Sequence, residues 1–319
     1  MDFSQFNFIN RLKSIYYKLF PSKIKLYPSS YHILSNYYDS FNLQIKEAWK
    51  YTRGTGVKVA ILDTGIDFNH SDLKSGVIKV QDITTDRNPL DRVGHGTHVA
   101  GIIGARGKMT GVAPDCELYS IKVLNDQGSG TDEWLYQGIL SAIDLKVNII
   151  NMSLGSTIYN PRVESAIKKA YDQGIILIAA AGNDGYVGNG VDTIGYPAKF
   201  DEVIAVGAID PNGNRASFSS VGKELDICTF GTNITSTWPN NLYVKLSGTS
   251  MACPFITGVA ALIYSSHNIL RISKHEIQNT HEMLDHLKRH CIDLGPQGID
   301  ELYGNGALNL ADPDSFFKD

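Results

Sequence analysis

Three short segments carry residue types that together could cleave a peptide bond. "ILDTGID" (61–67) ends an apolar run on Asp63, "GHGTHVAGIIGA" (94–105) sets His95 ahead of a small-residue apolar stretch, and "SGTSMACPF" (247–255) sets Ser250 ahead of another. A serine alkoxide is inaccessible at neutral pH, so a nucleophilic serine needs an imidazole as base. The imidazole in turn needs a carboxylate to fix its tautomer and stabilise its charged form. Each residue has a plain structural alternative: Asp63 as a strand-end turn former, His95 and Ser250 as helix caps. His98 competes with His95 for the role of base, and Ser247 with Ser250 for that of nucleophile. A helix from about Ser250 to Tyr264 holds Pro254 near the limit of what a first turn tolerates, because only first-turn N–H groups lack partners. Thr249 or Ser250 is then the cap, and the positive end of the helix dipole favours Ser250 as the reactive hydroxyl.

Elements that could bring these groups together are legible from Val57 onward. "VKVAILD" (57–63), "ELYSIKVL" (117–124), "VNIINMS" (147–153), "IILIAAAG" (175–182) and "VIAVGAI" (203–209) are β-branched and nearly continuously apolar, as strands covered on both faces must be. Helical stretches at 131–146 and 161–174 alternate with them. Strand, helix, strand in succession predicts an α/β fold: a mostly parallel central sheet with helices on both faces. In such sheets the site lies beyond the carboxyl ends of the strands, which places Asp63, Ser153 and the Gly182–Asn183 turn on one edge. Jointly placed, the three candidates favour chemistry over capping.

The chain of 319 residues is 43% apolar and 19% charged with net charge −4. Its length suits one sizeable α/β domain, and its charge offers no footprint for nucleic acid. No apolar run is long enough to suggest a transmembrane segment. The first twenty residues, "MDFSQFNFINRLKSIYYKLF", lack an apolar core and a cleavage site, so no secretory signal is read. Basic and aromatic residues there suit a helix docked on the body or lying on a surface. Cys116, Cys228, Cys253 and Cys291 show no CxxC spacing, and free thiols in a cytoplasmic location are expected.

The three segments, in the order Asp, His, Ser, resemble the signature regions of the subtilisin-like serine endopeptidases, from about Val57 to Leu310. The resemblance implies the subtilisin-like three-layer fold, with residues 1–41 as an N-terminal extension and 42–319 as the catalytic domain. It implies Asp63 as orienting acid, His95 as base, Ser250 as nucleophile and Asn183, in "AAAGND", as oxyanion donor. His98 then becomes a packed core histidine. A polypeptide substrate is expected to add as a strand between Gly128-Ser129-Gly130 and Ser153-Leu154-Gly155. The pocket for the side chain before the scissile bond is walled by the latter segment and Gly182, with Gly195 at its floor. Asp184 at its rim and Asp132 near a pocket further upstream favour basic substrate side chains.

No cofactor is required by this chemistry, and a structural calcium or monovalent cation is the candidate ion. The family's calcium loop is short here, "GARGKMTGVAP" (104–114), leaving Asp72 with few oxygen companions. A weaker site is expected from the carbonyls of Ala198, Phe200 and Val203 with Asp226. The expected function is a cytoplasmic serine endopeptidase of protein turnover or precursor processing. The alternatives are a dedicated leader peptidase for a ribosomally made antimicrobial peptide, with 23–29 lying in the cleft until removed, and an inactive peptide-binding pseudoprotease. An esterase of the α/β-hydrolase type fails on chain order and on the missing G-x-S-x-G. His281, His286, His290 and Cys291 fall in a helical stretch expected to be solvated rather than zinc-binding. Oligomeric state is left open.

Overall fold

The computed structural model describes residues 39–188 and 190–318; the 23–29 segment and most of the proposed 1–41 extension lie outside them. Helix α1 (Asp39–Ala48) crosses the 41/42 division. Nine strands form one sheet: β1 (Lys58–Asp63), β2 (Val77–Asp82), β3 (Glu117–Lys122), β4 (Ile149–Met152), β5 (Ile176–Ala180), β6 (Ile204–Ile209), β7 (Ile227–Phe230), β10 (Cys291–Ile292) and β11 (Ala307–Leu308). Their order is β10-β11-β7-β6-β5-β4-β1-β3-β2. All pairs are parallel except β10–β11. A separate hairpin, β8 (Ile234–Trp238) with β9 (Leu242–Leu246), is antiparallel.

Alternation along β1 shows why the strands read as unbroken apolar runs. Val59 and Ile61 face one core, built with α2 (His95–Gly104) and α5 (Thr249–Tyr264). Ala60 and Leu62 face the other, built with α3 (Asp132–Asp144) and α4 (Pro161–Asp172). Helices therefore cover both faces, so a polar residue in a central strand must find its partners within the protein. Helix α6 (Thr280–Lys288) and α7 (Pro313–Lys318) complete the described chain.

From β1 the chain goes out to the edge strand β2, returns to β3 between β2 and β1, then crosses to β4 on the other side of β1. Such a switch point opens a crevice at the strand ends. Asp63 closes β1 opposite Lys122 of β3, and Ser153 follows β4 directly.

The start of one helix differs from expectation in an informative way. Helix α5 begins at Thr249 after Gly248, so Pro254 is its sixth residue and lies past the tolerated first turn. Proline there removes the N–H that would bond the carbonyl four residues back, on Ser250. With the π-helical turn Ser265–Ile269 it makes a 21-residue helical run of membrane-spanning length and composition, but 94% of that window is buried in the protein. It is a core helix.

Candidate active site

Asp63 and His95 meet at the junction of β1 and α2. His95 Nδ1 donates to Asp63 Oδ1 at 2.8 Å, with Oδ2 at 3.0 Å. Asp63 Oδ1 also accepts from the Thr64 amide at 2.7 Å. The close approach needs glycine at Gly96, where a Cβ would lie 2.1 Å from the Gly65 carbonyl oxygen. Both side chains are buried. Burial works to lower the imidazole pKa, but the charge and hydrogen bond of Asp63, with the charge of Asp91, outweigh it and leave His95 raised.

His98 sits one turn on and does something else. Its Nε2 faces the carbonyls of Ile234 and Val244 at 3.0 and 3.2 Å, tying α2 to the hairpin. Burial drives its pKa down to about 3. Ser247 is likewise occupied, its hydroxyl accepting from the Asn233 amide at 2.7 Å.

Ser250 is the second residue of α5, where the N–H has no intrahelical partner. It lines a solvent-open pocket of about 400 Å³ with Leu154, Gly155, Gly182, Asn183 and Gly195. Its hydroxyl donates to the Ser153 carbonyl at 3.1 Å. Asn183 is aimed by Thr249, whose amide and hydroxyl donate to its Oδ1 at 3.0 and 3.1 Å. Those two donors settle which end of the amide is oxygen and leave the NH₂ as the end for a ligand.

Gly128, Ser129 and Gly130 do not line that pocket; they run along the other side of the crevice. Gly130 bridges Leu124 past the end of β3, and a Cβ on Gly128 would rest 3.8 Å from Val93, two residues before His95. Asp184 lines the pocket beside Asn183. Asp132 lines a second pocket that shares Ser156 with the first, and its carboxylate accepts from Asn160 Nδ2 at 2.9 Å.

The model of the Subtilase family matches residues 54–306. The chain belongs to the subtilase family. Subtilisin DY of Bacillus licheniformis is 44% identical over 81% of this chain and 90% of its own length. The intracellular serine protease of Paenibacillus polymyxa is 42% identical over 84% and 83%. The major intracellular serine protease of Bacillus subtilis (strain 168) is 40% identical over 85% and 87%. The chain is a subtilisin-like serine protease with an α/β fold, and it hydrolyses polypeptides.

Several buried polar groups of this subtilase escaped the sequence reading. Asn151, inside β4, accepts at Oδ1 from Cys253 Sγ and Thr257 Oγ1 and donates through Nδ2 to Ser153 Oγ at 3.0 Å. Lys122 is fully buried and donates from Nζ to the Thr64 carbonyl and Asp126 Oδ1, both at 3.0 Å. The signal was available: each is a polar residue interrupting a two-sided apolar strand, which burial permits only with partners.

Asp72 accepts from the Lys108 and Met109 amides at 3.1 and 2.9 Å and from Tyr243 Oη at 2.7 Å. The short 104–114 loop thus satisfies this carboxylate with N–H groups, which does not suit a cation. Near Ala198, the Phe200 carbonyl accepts from the Val203 amide at 3.0 Å. Asp226 Oδ2 accepts from the Ala205 amide at 2.8 Å, and burial raises its pKa to about 6. Asp226 is half-buried with one hydrogen-bond donor on its carboxyl, and such a group fits a cation.

The histidine-bearing helix departs from expectation. His286 is 1% exposed rather than solvated, and its Nε2 donates to the Phe316 carbonyl at 2.9 Å. The apolar flank of α6 and α7 excludes water there. Among the described residues no His, Cys, Asp and Glu cluster could hold a metal. All four cysteines are free thiols.

Proposed function

We propose that Ser250, His95, Asp63 and Asn183 are the machinery of an intracellular endopeptidase working through an acyl-enzyme. The observation that carries this reading is the two-point Asp63–His95 contact beside a pocket lined by both Ser250 and Asn183. His95 takes the Ser250 proton as Oγ attacks the scissile carbonyl. Asp63 holds the imidazole with Nε2 facing the serine and stabilises the imidazolium. The carbonyl oxygen becomes an anion between Asn183 Nδ2 and the first-turn N–H of Ser250. His95 then protonates the leaving amine, and water repeats the sequence to release the acyl group.

Substrate enters as a strand between 128–130 and 153–155, main chain to main chain. The glycine floor at Gly195 leaves the pocket deep enough for bulky or long side chains, and Asp184 favours a cationic tip. A cation held by Asp226 and the Ala198, Phe200 and Val203 carbonyls would neutralise a half-buried carboxylate and brace the 195–203 segment. Residues 1–41 form an N-terminal extension and 42–319 the catalytic domain in this reading. The cytoplasm is the expected location, supported by relatives named as intracellular serine proteases.

Fluorophosphonate labelling tests the chemistry. Modification is expected at Ser250, and Ser250→Ala should lose both label and cleavage; a Ser250→Ala protein cleaving at the wild-type rate overturns the assignment. Cleavage of a peptide library separates the roles. A broad profile supports protein turnover; a single narrow sequence supports maturation of one precursor.

A further inference from the structure

A second buried acid lies behind the Asp63–His95 contact. Asp91 is 2% exposed. Its Oδ1 accepts from the Thr64 hydroxyl at 2.9 Å and from the Val93 and Gly94 amides at 2.9 and 2.7 Å. Its Oδ2 accepts from the amide and hydroxyl of Thr97 at 2.9 and 2.6 Å. It therefore caps the start of α2 from outside the helix, because Gly94, the residue at the cap position, has no side chain to do so.

Thr64 joins the two acids. Its amide donates to Asp63 Oδ1, its hydroxyl donates to Asp91, and that hydroxyl accepts from the Gly96 amide at 2.9 Å. Asp63, Thr64, Gly96 and His95 close a hydrogen-bonded ring, and Asp91 holds it from below. We propose that Asp91 is a positioning residue for His95, fixing the helix start against Asp63 and adding its own negative charge to the field that stabilises the imidazolium. This rests on the assignment of His95 as general base.

Asp91 has to be ionised to do so. Burial, with the charge of Asp63, pushes its pKa up, and the Gly94 and Thr97 hydrogen bonds offset this only in part, leaving it raised. Three of its five donors are backbone N–H groups, which only oxygen lone pairs satisfy, so the carboxylate is the form that fits. The charged or titratable groups facing His95 are Asp63 from β1, Asp91 from the preceding loop and neutral His98 from α2 itself.

The test is the pH profile of kcat/KM. His95 must be neutral to act, and losing a nearby negative charge lowers its pKa. Asp91→Asn is therefore expected to move the acid limb down by about half a pH unit or more, and to reduce kcat ~10-fold through misplacement of the ring. A folded Asp91→Asn protein with an unmoved acid limb overturns the proposal. Where circular dichroism shows that Asp91→Asn has not folded, Thr64→Val decides. It keeps the charge and cuts the link, so kcat should fall roughly fivefold or more at unchanged KM, and an unchanged kcat overturns the positioning role. Ser250→Ala measured alongside separates the two readings. Wild-type activity there overturns the triad, whereas an inactive Ser250→Ala with an unmoved limb overturns only Asp91.

Discussion

Ser153 and Ser250 hold each other through two reciprocal hydrogen bonds. Ser153 Oγ donates to the Ser250 carbonyl at 3.0 Å, and Ser250 Oγ donates to the Ser153 carbonyl at 3.1 Å. Pro254 explains the first. Four residues beyond Ser250, it has no N–H to give, so the Ser250 carbonyl takes its hydrogen bond from the end of β4 instead. The second engages the Ser250 hydroxyl with a backbone carbonyl; catalytic hydrogen bonds commonly form or tighten only when substrate binds.

That exchange of partners gives a double-mutant prediction. Ser153→Ala strands a buried carbonyl and should cost about 1–3 kcal/mol. In a Pro254→Ala background the helix can supply the missing N–H, so the cost of Ser153→Ala should shrink. Urea denaturation of the four proteins reads the coupling, and strictly additive effects would contradict the account.

Removing the amide aimed by Thr249 should slow chemistry without weakening binding. Asn183→Leu is expected to lower kcat by about 10²–10³ with KM little changed, a magnitude measured in this family rather than derived from the present distances. A loss appearing mainly in KM would place Asn183 in ground-state binding.

The Cys253 thiol is fully buried, donates to Asn151, and has its pKa pushed up to about 12 by burial. Organomercurials should therefore inactivate slowly, at a rate set by local opening. Once bound, the metal breaks the Asn151 hub that supports Ser153 and the start of α5. Cys253→Ser should be active and insensitive. Equal sensitivity in that variant would move the effect to another thiol, Cys291 being the partly exposed one.

Acid should destabilise the fold through two histidines kept neutral by burial. The folded values of about 3 for His98 and about 4 for His286 lie below the unfolded 6.5. Their contribution is complete above pH 6.5 and is lost as pH falls toward the folded values. Each then removes about 1.4 kcal/mol per pH unit. His95 is shifted the other way and is protonated in both states across that window, so it adds no slope there. His286→Gln keeps a donor for the Phe316 carbonyl and should show a shallower fall in Tm between pH 6 and 4. An unchanged slope would show that His286 does not titrate on unfolding.

Lys122 tests the frame around Asp63. Lys122→Met leaves the Thr64 carbonyl without its cation and frees Asp126 in the 125–130 loop that is to receive substrate. Removing one partner of a buried pair costs about 3–5 kcal/mol, and the partial exposure of Asp126 and Asp86 argues for the lower end. A calorimetric Tm should drop and KM should rise. Wild-type KM with lowered Tm would confine Lys122 to stability.

Sequence alone determined the fold class and the edge on which the site lies. Short, β-branched apolar runs alternating with helical stretches read as strands covered on both faces, and parallel strands joined by helices put their ends together. It also named the Asp, His and Ser segments, because their local context depends on neighbours in the chain. What the tertiary structure decided is which polar groups stand behind them. Asp91 and Lys122 each complete their set of partners at Thr64, and Asn151 at Cys253 and Thr257, residues far off in the chain that only the fold brings within reach. The place of Pro254 shows the same limit: proline forbids a hydrogen bond locally, but only packing against β4 supplies the hydroxyl that replaces it.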